Sequence, residues 1–264
     1  MTSLTMKKDV GDILDGLASE SYPEIVRGLD TLEIFLKSLA PSVRKHHRSG
    51  MLDSKLLALI SLQNNFQSNI ASGLLSTYSF FSNTHLKVEN QVLIKANYLL
   101  SGMLLIHPES RALFSRGRAM AVMLSFLDSK VFRYSEDVSV SFVSLLIHIL
   151  IKNVKNMRSF EENNGCQLLI HHLSVSPNDT KDGHRNGDSD EAVRQKILHF
   201  KVIEFLIFYL ADESELLNLP QNNGARSVSV SEKADLFRPK FPGIDDLIKN
   251  LNDLTSLRSF PVNI

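Results

Sequence analysis

Residues 91–127, QVLIKANYLLSGMLLIHPESRALFSRGRAMAVMLSFL, and residues 137–173, DVSVSFVSLLIHILIKNVKNMRSFEENNGCQLLIHHL, have the same layout and align without a gap. Each runs through an apolar helix-like stretch, a polar break and a second apolar stretch. Leu99, Leu100 and Leu104 correspond to Leu145, Leu146 and Leu150, 46 positions on. Further along, Phe114 corresponds to Phe160, Met120 to Cys166, Met123 to Leu169, Leu124 to Ile170 and Leu127 to Leu173. A period of roughly 40–47 residues marks helical stacks of the HEAT or armadillo kind, in which each unit buries its apolar face on its neighbours. The spacing predicts an all-α chain: an armadillo/HEAT-like right-handed solenoid of about three to four repeats, forming a single domain over 1–264. The default role of such a stack is to hold another protein.

Around this pair, helix 137–153 is apolar nearly all round and reads as a buried central helix. Residues 202–210 resemble 143–150 and read as a third copy, displaced by an insertion. Toward the N-terminus, Ile13, Leu14 and Leu17 mark a short helix over 9–19. Tyr22-Pro23 opens another that runs to Leu39, with Pro41 as its end, since proline suits a first turn and breaks an interior. Further helices are expected at 53–72 and 74–81. Residues 174–190, SVSPNDTKDGHRNGDSD, hold no large apolar residue except Val175 and predict a disordered loop. Residues 212–230 read as a polar linker. An amphipathic helix over 243–255 either caps the stack or docks on a partner. No pair of alternating runs is joined by a hairpin turn.

The chain has 264 residues, with 29 Lys+Arg against 29 Asp+Glu. Zero net charge removes a general pull toward nucleic acid or anionic lipid, so no nucleic-acid partner is expected. The single cysteine excludes an intramolecular disulfide, and the first residues lack the apolar core of a secretory signal. A reducing compartment follows as the expectation. The most apolar run, Phe142–Ile151, is about half the length that spans a bilayer, so no membrane insertion is expected.

Catalytic signatures fail one by one. A cysteine phosphatase needs an arginine six positions after its thiolate, and His172 stands there. Cys166 also falls in a core slot equivalent to Met120, where a small buried thiol packs as an apolar group. The pairs His46-His47 and His171-His172 are adjacent and point about 100° apart on a helix, unlike ligands four apart. No Walker loop or GxSxG elbow exists. The paired carboxylates Glu161-Glu162 and Asp245-Asp246 suit first helical turns, and Asp212-Glu213 a helix end. Arg44-Lys45-His46-His47-Arg48 reads as a solvated interhelix loop. No cofactor, metal or small-molecule substrate is expected. An enzyme built on Cys166, His171 and His172 is the competing reading, and a nucleic-acid-binding repeat using 44–48 is a third.

In an armadillo-like stack the third helix of each repeat lines the concave face. Here that helix is expected at about 115–127 and 161–173. Arg116, Arg118, Glu161, Glu162, Asn163 and Asn164 are then the candidate protein-binding residues. Ser227, Ser229 and Ser231 are candidate phosphorylation positions in the linker.

The segments HPESRALFSRGRAMAVMLSFLD (107–128), NMRSFEENNGCQLLIHHL (156–173), VRQKILHFKVIEFLIFYLADES (193–214) and SEKADLFRPKFPGIDDLIKNLNDL (231–254) resemble one fungal family. It is the cell division control protein 14 family of the septation initiation network, unrelated to the like-named phosphatase. The long 174–190 loop and the prolines of 238–243 depart from its pattern. The resemblance implies a noncatalytic regulatory or scaffold subunit that binds a germinal-centre-type (sterile-twenty-like) protein kinase. It further implies a cytoplasmic place at the spindle pole body and a role in cytokinesis and septation. A generic helical-repeat adaptor for another protein is the alternative.

Overall fold

Apolar residues at three-and-four spacing bury one stripe of each helix, and the stripes dictate how the helices stack. The computed structural model describes residues 3–84, 87–128, 134–174 and 188–250, and all regular structure among them is helical. Helix α1 (Ser3–Leu17) crosses α2 (Tyr22–Ser49) at Gly16 and Gly28. A Cβ on Gly28 would lie 2.9 Å from the Gly16 carbonyl carbon, so only glycine allows this approach. Helix α3 (Ser54–Gln63) packs on α1 and α2, and α4 (Ile70–Asn83) packs on α1.

Beyond this N-terminal group, two series of neighbours run through the chain. Helix α5 (Asn90–Ile106) packs against α2 and against α7 (Glu136–Leu150), which packs in turn against α10 (Asp188–Tyr209). In the second series α4 packs on α6 (Gly117–Ser125), α6 on α8 (Val154–Glu162), and α8 on α9 (Gly165–Ser174). A 3-10 segment, Pro108–Ser115, lies against α8 and joins α5 to α6. The 46-residue correspondence therefore pairs α5, the 3-10 segment and α6 with α7, α8 and α9. All eight residues of the first copy are buried, and of their equivalents only Leu173 is partly exposed. Residues 202–209 belong to α10, with Val202, Phe205 and Leu206 fully buried.

Buried amides connect the units along one edge. Asn69 Nδ2 donates to the Gln63 carbonyl at 2.7 Å and to Ser110 Oγ at 2.8 Å. Asn156 Nδ2 donates to the carbonyls of Arg111 and Ile149, both at 2.8 Å. Asn222 Nδ2 reaches the carbonyls of Leu216 and Lys152, and its Oδ1 accepts from the Val154 amide. Arg111 donates to the carbonyls of Leu104 and His148. Its charge thus sits at the negative ends of α5 and α7. In the interior, Tyr78 Oη donates to Asn97 Oδ1 at 2.6 Å and Asn97 Nδ2 to Ser141 Oγ at 2.7 Å, which links α4, α5 and α7. Every donor named here is paired, as burial demands, whereas Asn156 Oδ1 has no hydrogen-bond partner among the described residues.

Several expectations need correction. The helix expected over 53–72 ends at Gln63, the 3-10 turn Phe66–Ser68 follows, and the Asn69 side chain caps α4, which starts at Ile70 and not at 74. Helix α2 does not end at Pro41 but continues to Ser49, because Leu39 and Ser42 keep its buried stripe intact across the proline. That packing outweighs one lost backbone bond. The basic run 44–48 is therefore the last turns of α2, where cations suit the helix dipole, and not an interhelix loop. Gly50, at φ 68°, closes the helix with its amide on the His46 carbonyl. Glu161 and Glu162 end α8 and do not open the next helix; Asn164, at φ 61°, turns the chain, and α9 begins at Gly165. The stretch 212–230 carries two 3-10 turns, Ser214–Asn218 and Pro220–Asn222, and sends Glu213 and Asn222 into the interior.

Residues 175–187 of the expected loop and the part of the 243–255 helix beyond 250 lie outside the described residues. Residues 244–250 are helical; Ile244 is fully buried, and Leu247 and Ile248 pack on the core. No helix among the described residues is long and apolar enough to cross a membrane.

Candidate functional site

Cys166 lies in α9 and is 1% exposed. Burial, with Glu161 adding to it, pushes its thiol up to about 12. A thiol so held is protonated near neutrality and is no nucleophile. His172 does not activate it: its Nε2 lies 3.0 Å from the Leu127 carbonyl, and burial holds the ring below its ordinary range. No group of three His, Cys, Asp or Glu residues among those described could hold a metal ion.

Beside Cys166 the sequence hides a charged cluster. Lys233 of α11 (Val230–Asp235) is 0% exposed and Glu213 is 1% exposed. The Lys233 ammonium places its Nζ 3.0 Å from Glu213 Oε2, 3.0 Å from the Tyr209 carbonyl and 2.9 Å from the Ala211 carbonyl. Its three donors therefore meet three acceptors, two of them carbonyls at the end of α10. Glu213 also accepts from Arg158 at 3.0 Å and from the Val228 amide at 2.8 Å. Arg158 bridges to Glu161 at 3.0 Å, and Tyr209 Oη donates to Glu161. Burial raises Glu161 above the usual carboxylate range, against the opposing pull of the Tyr209 hydrogen bond. Burial likewise lowers Lys233, against the pull of Glu213. This cluster ties α8, α10, the 3-10 turns and α11 together, and it is structural. Only Ser229-Val230-Ser231-Glu232 signalled it in the sequence. Ser229 and Glu232 form the capping box that opens α11 and so places Lys233.

The six candidate binding residues do not share one environment. Arg116 and Arg118 are exposed at the start of α6. Asn163 comes close to them: its amide nitrogen would lie 3.6 Å from a Cβ on Gly117. Asn163 Nδ2 also donates back to the Ser159 carbonyl. Glu161 faces inward into the cluster, whereas Glu162 and Asn164 are exposed. Ser227, Ser229 and Ser231 are exposed, and the Ser229 side chain is engaged in its cap.

Arg116 and Arg118 line a trough between α4 and α6. One depression of about 280 Å³ is bounded by Asn69, His107, Ser110, Leu113, Phe66 and Arg116. An adjoining one of about 250 Å³ shares Phe66, Leu113 and Arg116 and adds Ser72, Ser76 and Ser79 of α4 and Arg118 of α6. Phe66, in the 3-10 turn Phe66–Ser68, is 70% exposed at its rim. A second, more apolar trough of about 680 Å³ runs between α2 and α5 past Leu36, Ile94 and Tyr98.

The chain matches the family model described as cell division control protein 14, SIN component, over residues 6–229. No curated protein and no solved structure matches it. The match includes both repeat copies, the candidate binding residues and Glu213, and stops short of Lys233.

Proposed function

Because the chain belongs to the cell division control protein 14 family, a component of the septation initiation network, we propose that it is a noncatalytic regulatory or scaffold subunit. In this reading it binds a germinal-centre-type (sterile-twenty-like) protein kinase and promotes septum formation at cytokinesis, acting in the cytoplasm at the spindle pole body. The stacked helices serve as a right-handed armadillo/HEAT-like solenoid of three to four repeats, with residues 244–250 as part of its cap. The observation that supports it most is that α5–α7–α10 and α4–α6–α8–α9 form two continuous series of packed neighbours. Such a stack presents an extended surface of the kind used to hold another protein. The buried, protonated Cys166 supports a noncatalytic role for the one residue that could have argued otherwise.

Affinity purification of the full chain from native cells, with quantitative mass spectrometry, tests this reading. A kinase of that class is expected at near-equal abundance. A different protein at that abundance would favour a generic adaptor, and no such protein would sink the reading. Phosphorylation at Ser229 would set a phosphate beside Arg226 and against Glu232, loosening the cap of α11. Intact-mass measurement on native material would reveal it, and an unmodified mass would dismiss it.

A further inference from the structure

We infer that the α4–α6 trough is a docking groove for a short acidic peptide segment of a partner protein. Asp or Glu side chains of that segment meet Arg116 and Arg118, and an apolar side chain sits between Phe66 and Leu113. The inference rests on the reading of the chain as a partner-binding subunit.

Charge complementarity carries it. Arg116 and Arg118 are exposed, and neither guanidinium makes an ion pair or hydrogen bond among the described residues. The one acid that lines the trough is Glu109, 3.6 Å from His107 Nε2, so the two arginines outnumber it. Two arginines flanking one glycine, with no carboxylate between them, leave a net positive mouth over an apolar floor of Leu75, Leu113, Ala119 and Val122. A guanidinium binds a carboxylate by a pair of parallel hydrogen bonds, which fixes direction as well as strength.

Shape agrees with an extended segment. Helix α4 presents Ser72, Ser76 and Ser79 to the trough instead of large side chains, so another backbone can come close. Ser76 and Ser79 donate to the carbonyls four residues back, which leaves hydroxyl oxygens free to accept from peptide amides. Phe66 is held out by a turn whose supports are buried or bonded. Asn65 Oδ1 accepts from the Gln67 amide, and Gln63 Nε2 donates to the Ser68 carbonyl. A lone exposed apolar residue needs no explanation. A rigidly presented phenylalanine beside two unpaired arginines and a serine-lined channel matches a peptide anchor.

The test pans a randomised decapeptide display library on the full-length wild-type chain, on Arg116→Glu/Arg118→Glu and on Phe66→Ser. Wild type is expected to enrich sequences with two or more Asp or Glu beside a large apolar residue. An enriched peptide, synthesised with a fluorophore, should lose at least tenfold in affinity on the arginine variant and several-fold on Phe66→Ser. Its binding to wild type should weaken with added salt, and both variants should melt at the wild-type temperature. Enrichment of basic or purely apolar sequences, or equal affinity on the arginine variant, overturns the proposal. Kinase co-purification run in parallel separates the two readings. Charge-dependent peptide binding without a kinase leaves the groove standing and removes the kinase. A kinase that co-purifies undiminished with the arginine variant, with no acidic enrichment, does the reverse.

Discussion

Replacing Lys233 with methionine should be among the most damaging single changes in this chain. The substitution keeps the length and the apolar stem but removes the charge. Glu213, 1% exposed, then keeps only Arg158 and the Val228 amide, and the carbonyls of Tyr209 and Ala211 lose their shared donor. Removing one member of a buried ion pair costs about 3–5 kcal/mol, because the other charge stays buried. For a chain of this size about 2–4 °C of melting temperature accompanies each kcal/mol, so a fall of about 6–20 °C is expected. Urea denaturation followed by far-UV circular dichroism measures the loss, with an unchanged slope confirming that only stability moved. Glu213→Gln alone should also destabilise, since it leaves Lys233 without its counter-charge. The double variant removes both charges, so its cost should fall short of the sum by about 2 kcal/mol or more. Additivity within about 0.5 kcal/mol would mean that the two groups do not interact. A Lys233→Met cost below about 1 kcal/mol would refute the assignment of the cluster as the clasp of α11.

Gly165→Ala should destabilise by about 1–3 kcal/mol, since a Cβ there would lie 2.2 Å from the Phe160 ring, itself hemmed in by Phe205 and Tyr209; chemical denaturation at wild-type stability would contradict this packing. At the neighbouring left-handed position, Asn164→Gly should be tolerated and Asn164→Val should cost about 1–2 kcal/mol, read by the same assay. Cys166, raised from 9.0 to about 12, should react with a thiol reagent at pH 8 about a thousandfold more slowly in the folded chain than in urea, from thiolate population alone; rapid labelling of the folded protein would reopen the enzyme reading. Burial holds His107 and His172 below their ordinary 6.5, so both states are neutral above that pH and the full stability is present there. As the pH falls below about 6.5 the unfolded chain takes up protons first, and stability should drop by up to about 1.4 kcal/mol per pH unit per histidine. His172→Gln should flatten that slope, and an unchanged slope in the melting temperatures would exclude His172 as a contributor.

The resemblance and the repeat reached the family and the core from residues alone. Phe114, Met120, Phe160 and Cys166 were legible as core because an apolar slot recurring at one spacing is a local pattern, and local patterns survive without coordinates. The candidate site was legible in part. Arg116 and Arg118 were picked out as helix-start surface, and they are exposed at the start of α6. Glu161 carried the same polar signature and points inward, because Arg158 of its own helix and Tyr209 of α10 both bind its carboxylate, with the Glu213–Lys233 pair close by. Phe66 was missed, since nothing in a short polar turn announces that its aromatic ring is held in solvent.

By itself the sequence determined that the chain is helical, that two copies of a three-part unit follow one another, and that Cys166 fills a core slot. These rest on periodicity and on side-chain volume, which act between near neighbours. Only the tertiary structure decided that α2 runs through Pro41, that Lys233 is buried, and that α4 and α6 leave a basic, serine-lined trough between them. Each of those outcomes balances a local cost, whether a lost backbone bond or a desolvated charge, against contacts from residues far along the chain. Their sign is set where the chain comes together, as at Lys233, whose counter-charge Glu213 arrives from a different element.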